Sequence, residues 1–169
     1  MQKLANYIST YKDFPKKGIS FKDVLEIVQE PEIFRELIFE MSSNHIIKNS
    51  QAIVSIDARG FIFGSAIALQ SSKPMIFARK PGKLPGDVIT QSYDLEYGED
   101  SLSIQKEALN KYDSYSIVDD LVATGGTAKS VANILHNEAK RITGLLTVVA
   151  IKGIVREDFS FPVESMIKM

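Results

Sequence analysis

In Ser116-Ile117-Val118-Asp119-Asp120-Leu121-Val122-Ala123-Thr124-Gly125-Gly126-Thr127 an apolar run ends in two acids and then in a small polar turn. Ile117 and Val118 suit the middle of a parallel sheet covered on both faces. Such a strand delivers Asp119 and Asp120 to its carboxyl end, where open α/β sheets bind their ligands. The adjacent Gly125 and Gly126 leave backbone N–H groups free to close on an anion. A helix follows at once, its period legible in Ala128, Val131, Ala132, Ile134 and Leu135, with its positive end toward the turn. Two consecutive carboxylates repel and raise each other's pKa unless something cationic or hydroxylic lies between them, a need that a metal-chelated sugar diol would meet. The plainer alternative is that acids and glycines merely cap a strand. Gly125, Gly126, Lys129 and Ser130 lack the spacing of a Walker A loop, and no G-x-G-x-x-G occurs, so an ATP P-loop and a dinucleotide fingerprint do not fit.

The neighbouring segments extend the same architecture. Ala52 to Ile56 reads as a buried strand, Phe61 to Leu69 as a helix and Pro74 to Ala78 as the next strand, a succession that implies parallel pairing through crossovers. A further helix starts at Pro31, with Ile33, Phe34, Leu37, Ile38 and Met41 as its buried stripe. Leu4, Tyr7, Ile8 and Tyr11 recur at helical spacing and predict an opening helix ending near Asp13. Residues 80–104 read as a flexible loop leading into an antiparallel ribbon, from the alternation of Tyr93, Leu95 and Tyr97 and then Leu102 and Ile104. Leu145 to Ile151 is expected as the last parallel strand. The tail from Gly153 is expected to join residues 1–30 as a small hood, its share being about 153–165. All 169 residues then form one α/β domain, a mostly parallel twisted sheet flanked by helices.

Bulk composition excludes several classes. Lys plus Arg total 20 against 21 for Asp plus Glu, and a net charge of −1 offers no general attraction to nucleic acid or to anionic membranes. The absence of cysteine removes disulfides, thiolate metal sites and a Cys nucleophile, and fits a cytoplasmic protein. No run reaches the ~18 apolar residues of a membrane span. His45 and His136 are too isolated to build a metal cage.

The 116–127 segment resembles the phosphoribosyl pyrophosphate motif of the type I phosphoribosyltransferases. Three further blocks narrow the resemblance to the adenine-specific family: Phe14-Pro15-Lys16-Lys17-Gly18-Ile19-Ser20-Phe21-Lys22-Asp23, Asp57-Ala58-Arg59-Gly60-Phe61-Ile62-Phe63-Gly64, and Arg79-Lys80-Pro81-Gly82-Lys83-Leu84-Pro85-Gly86 running on to Ser92-Tyr93-Asp94-Leu95-Glu96-Tyr97-Gly98. They fall in family order between about residues 5 and 155. The resemblance implies transfer of a phosphoribosyl group to adenine, giving AMP and pyrophosphate, with Mg²⁺ as cofactor held through substrate and water and with no direct protein ligand. It assigns the 5′-phosphate to Ala123, Thr124, Gly125, Gly126 and Thr127, and the ribose hydroxyls to Asp119 and Asp120. Pyrophosphate falls to Asp57, Ala58, Arg59 and Gly60, with Arg79, Lys80 and Lys83 as further candidate clamps, and a non-proline cis peptide is expected between Asp57 and Ala58. Adenine would meet Phe21 and Leu121, with backbone contacts near Ser20, Phe21 and Lys22; the family usually has an aliphatic residue at the first of these three and often Arg at the third. Glu96 matches the glutamate placed near the purine's imidazole ring, with Tyr97 beside it on the closing loop. A homodimer is implied, with Arg59 to Phe63 near the contact.

Other readings stay open from residues alone. Arg79, Lys80 and Lys83 equally suit a solvated Gly/Pro loop, and Glu96 an exposed ribbon position. The base could be hypoxanthine, xanthine or orotate, or the chain could bind the sugar phosphate as a regulator without turnover.

Overall fold

The structure is a computed structural model that describes residues 4–95, 98–153 and 158–169. The chain opens with one 3₁₀ turn, Leu4–Tyr7, and an antiparallel pair, β1 (Ser9–Lys12) and β2 (Ser20–Asp23). This corrects the expected helix through Asp13. Leu4 and Ile8 are buried as their spacing requires, but Thr10 and Tyr11 suit a strand, and β1 gains a ladder with residues a dozen positions away. In the connection between them Asp13, at φ +59°, accepts a hydrogen bond from the Gly18 amide at 2.7 Å, and the Phe14–Pro15 bond is cis.

Two single-turn helices, α1 (Glu26–Gln29) and α3 (His45–Lys48), flank α2 (Pro31–Ser43). In α2, proline occupies the first turn, where its missing N–H costs nothing, and Leu37, Ile38 and Met41 point into the core. β3 (Ala52–Ile56), the crossover helix α4 (Gly60–Ser71) and β4 (Met75–Ala78) then form the first parallel unit. Next come the antiparallel hairpin β5 (Val88–Leu95) and β6 (Gly98–Gln105), the short α5 (Lys106–Leu109), β7 (Ser114–Val122), α6 (Gly126–Asn137), β8 (Arg141–Ala150) and β9 (Val163–Lys168).

The central sheet has the order β4-β3-β7-β8-β9, parallel at every pairing. β7 therefore sits in the middle, and its side chains alternate between two buried layers. Val118 packs with Ile53, Leu146 and the helices α2 and α4, while Ile117 packs with Val54, Leu145 and α6.

β9 was not expected. The strand predicted as Leu145–Ile151 is longer and is not the last, and residues 163–165, assigned to a hood, belong to the sheet. As an edge strand β9 is only half-covered, so Val163, Met166 and Ile167 give no clean alternation to read. The ribbon expected within 80–104 is present as a full ladder, and its base is firmly packed. Leu102 and Ile104 lie in the core, Arg79 and Ser103 exchange backbone hydrogen bonds of 3.0 and 2.7 Å, and Ser130 Oγ of α6 donates to the Gln91 carbonyl at 2.9 Å. At the opposite end of the sheet Tyr115 is wholly buried, its hydroxyl donating to the carbonyls of Leu109 and Tyr112.

Candidate active site

A cleft of about 290 Å³ opens at the carboxyl ends of β3 and β7. Its floor is the acid pair. Asp120 is only 5% exposed, and Asp119 Oδ1 accepts a hydrogen bond from the Asp120 amide at 2.8 Å. Burial pushes both carboxyls above the ordinary carboxylate range, and for Asp119 the neighbouring Asp120 charge adds to the rise. Arg59 works in the opposite direction on each of them.

One wall is the turn after β7. Ala123, Thr124, Gly125 and Thr127 line it, and Gly126 opens α6. Gly125 holds φ +98° at the N-cap, a conformation that a side chain would resist. The first amides of α6 have no partner within the helix, so they and the helix dipole face the cleft as an anion cradle.

The opposite wall comes from β3. The Asp57–Ala58 peptide is cis, as expected, and Asp57, Ala58 and Arg59 line the cleft. Gly60 begins α4 where the helix presses against β7: a Cβ there would stand 2.7 Å from Asp119 Oδ1 and 3.2 Å from Asp119 Cα. Glycine is therefore what lets the two walls approach. Arg59 spans them, its Nε 2.9 Å from Asp120 Oδ2 and its guanidinium carbon 4.8 Å from the centroid of the Phe21 ring. Neither Arg59 Nη1 nor Asp120 Oδ2, both buried, has a directed hydrogen bond. The pair is thus held by charge while a donor and an acceptor remain available to a ligand.

The remaining predicted residues separate into groups. Arg79 does not line the cleft; its Nε pairs with Asp57 Oδ2 at 3.0 Å, its guanidinium lies 5.8 Å from the Phe61 ring, and Nη1 donates to the Lys83 carbonyl. It braces the loop that carries Arg59. Lys80 pairs with Asp100 at 2.8 Å, and Lys83 is exposed in the loop before β5. Neither lines the cleft. Phe21, on β2, reaches the site through Arg59, and the Phe14 ring meets it edge-on at 5.2 Å. Ser20 is exposed, and Lys22 Nζ donates to Thr10 Oγ1 along the hairpin. Leu121 lines the cleft beside Asp120. Glu96 and Tyr97 lie outside the described residues, between the ends of β5 and β6.

Leu145 and Thr147 of β8 also line the cleft, and sequence reasoning missed them. The available signal was the threonine inside the apolar run from Leu145 to Val149, which the register sets opposite Asp119. Among the described residues no cluster of three or more His, Asp or Glu forms a metal cage. His45 lies 3.6 Å from Glu164, and His136 faces Phe161.

Residues 22–159 match the phosphoribosyl transferase domain. The chain is 61% identical over 170 residues to the adenine phosphoribosyltransferase of Prochlorococcus marinus strain AS9601, with both chains covered completely. The crystal structure of adenine phosphoribosyltransferase from Thermoanaerobacter pseudethanolicus matches with a TM-score of 0.92 at 31% identity, covering 99% of each chain. That of the Saccharomyces cerevisiae enzyme, complexed with D-2,5-dideoxy-2,5-imino-altritol 1,6-bisphosphate and adenine, matches at 0.87 and 31% identity, covering 98% of this chain and 97% of the other. Likeness of this extent joins the geometry of the cleft in one conclusion: the chain belongs to the phosphoribosyltransferase family and, within it, to the adenine phosphoribosyltransferases.

Proposed function

We propose that the chain transfers the 5-phosphoribosyl group of phosphoribosyl pyrophosphate to adenine, releasing pyrophosphate and forming AMP, a purine-salvage reaction. The observation that carries this reading is the placement of the buried acid pair between an anion cradle and Arg59. The C1′–oxygen bond to pyrophosphate breaks with its electron pair on the leaving group, and adenine N9 bonds to C1′. Asp119 and Asp120 accept from the ribose hydroxyls, and their negative charge favours the positive charge developing at C1′. The amides of residues 124–127 and the hydroxyls of Thr124 and Thr127 hold the 5′-phosphate, charge-assisted bonds that contribute roughly 1.5–3 kcal/mol each. Arg59 offers its free Nη1 to the pyrophosphate.

Mg²⁺ fits as a passenger on the substrate. With no protein cage among the described residues, and a buried carboxylate oxygen without a directed hydrogen bond in the cleft, the acids would hold the ion through water and substrate oxygens. When bound it supplies charge neutralisation for the departing pyrophosphate.

Glu96 takes the N9 proton as the new bond forms, and closure of the hairpin tip with Tyr97 keeps water from the electrophilic sugar. Glu96→Gln is expected to lower kcat by about 10²-fold or more, measured at saturating adenine. The protein acts as a homodimer in the cytoplasm. An apolar face supports the dimer: Ile62 and Leu69, seven residues apart on α4, are 38% and 84% exposed, and Phe77 on the edge strand β4 is 42% exposed. Among the described residues no helix is long and apolar enough to cross a membrane.

Pyrophosphate release from the protein, Mg²⁺ and phosphoribosyl pyrophosphate, with adenine, hypoxanthine, xanthine or orotate in turn, tests the assignment. Release is expected with adenine. Silence with all four bases would overturn the enzyme reading, and release with hypoxanthine alone would overturn the choice of base.

A further inference from the structure

Arg59 touches more of the site than a pyrophosphate ligand needs to. Its Nε meets Asp120, its guanidinium plane carbon lies 4.8 Å from the Phe21 centroid, and Nη1 is buried without a hydrogen bond. The other aromatic contact of Phe21 is the edge-on ring of Phe14, and the guanidinium of Arg59, itself a cleft residue, lies over the Phe21 ring. A guanidinium is flat, delocalised and weakly hydrated, and it stacks on aromatic rings much as a heterocyclic base does.

We infer that Arg59 is a positioning residue that covers a face of the Phe21 ring, where adenine would stack, and leaves it when pyrophosphate claims its guanidinium, so that filling one subsite opens the other. The inference rests on the phosphoribosyl transfer reading and adds to it a coupling between two subsites through one side chain. The exchange is favourable because a phosphate oxygen can take Nη1, which has no hydrogen bond within the protein, and can accept from the guanidinium fork as a bidentate partner. Adenine alone, by contrast, must displace a cation from a ring it prefers. Coupling of this kind is reciprocal: whatever factor pyrophosphate adds to adenine affinity, adenine adds to pyrophosphate affinity.

Equilibrium dialysis of radiolabelled adenine against the protein, with Mg²⁺ in every arm and with or without saturating inorganic pyrophosphate, reads the coupling directly. Pyrophosphate is expected to tighten adenine roughly 5- to 30-fold, and a pyrophosphate titration with and without adenine should return the same factor. In Arg59→Gln, which has no guanidinium to lay on Phe21, adenine should bind tightly without pyrophosphate and gain less than about twofold from it. A merely structural role for Arg59 would weaken adenine in that variant instead. Equal adenine affinity in the wild-type protein with and without pyrophosphate, or undiminished coupling in the variant, would overturn the inference even if turnover with adenine is intact. Absence of turnover in the wild-type assay overturns the transfer reading itself.

Discussion

At the residue scale the site depends on close approach and on charge held out of water. Gly60→Ala would set a methyl group 2.7 Å from Asp119 Oδ1, and backbone lies almost as near, so the acid must shift. The variant is expected to lose about 1–3 kcal/mol in urea denaturation and most of its kcat. Asp119 presents the opposite trade. Its folded-state pKa is raised by burial and by Asp120, so the folded chain binds its proton more tightly than the unfolded chain does. Stability from that proton is complete at acid pH and is lost as pH rises from the ordinary carboxylate range through the folded pKa. Asp119→Asn keeps the acceptor for the Asp120 amide and removes the charge. Its Tm should exceed that of the wild type at neutral pH, the gain shrinking toward acid pH, while turnover falls by about 10²-fold. The acids, the Gly-Gly turn and Arg59 were legible because each has a chemistry that its neighbours in sequence do not explain. Arg79 was not: a lone arginine in a loop says nothing of the Asp57 and Phe61 it meets 22 and 18 residues away in the fold.

At the element scale, strands covered on both faces and helices with a clear stripe were readable, because their burial is periodic. The opening segment was misread for a related reason. Leu4 and Ile8 do share a buried side, yet the ladder from Ser9 to Lys12 with Ser20–Asp23 is a tertiary contact that local spacing cannot announce. β9 escaped because its pairing with β8 follows a connection of a dozen residues, and edge position leaves it half-covered. The hairpin β5–β6 combines both situations: its alternation was readable, while the burial of its base, where Leu102 and Ile104 are core, was not. Leu102→Ala should therefore cost about 2–5 kcal/mol in chemical denaturation, as a deletion in the interior does and an exposed-loop substitution does not. The Ser130–Gln91 and Arg79–Ser103 hydrogen bonds fix where that hairpin leaves the body.

At the scale of the whole molecule, a strand order with β7 in the middle puts the acid pair on a strand braced on both sides, by β3 and β8, and leaves β4 at the edge of the sheet. A second copy seated on Ile62, Leu69 and Phe77 would stand close to the loop that carries Arg59. Phe77→Asp is expected to move the sedimentation coefficient to that of a monomer and to lower kcat/KM along with it. The opposite end of the sheet offers something different. The Tyr115 phenol, buried and bonded to two carbonyls, is pushed up to about 12 by its surroundings, so the folded form resists alkali and surrenders that resistance only as pH climbs through this value. In a chain without tryptophan, tyrosine dominates the near-ultraviolet spectrum. Nature has thereby left an indicator dye at the sheet's base: phenolate absorbance from this one ring should lag in an alkaline titration and emerge together with the collapse of circular dichroism, reporting cooperative melting without any label.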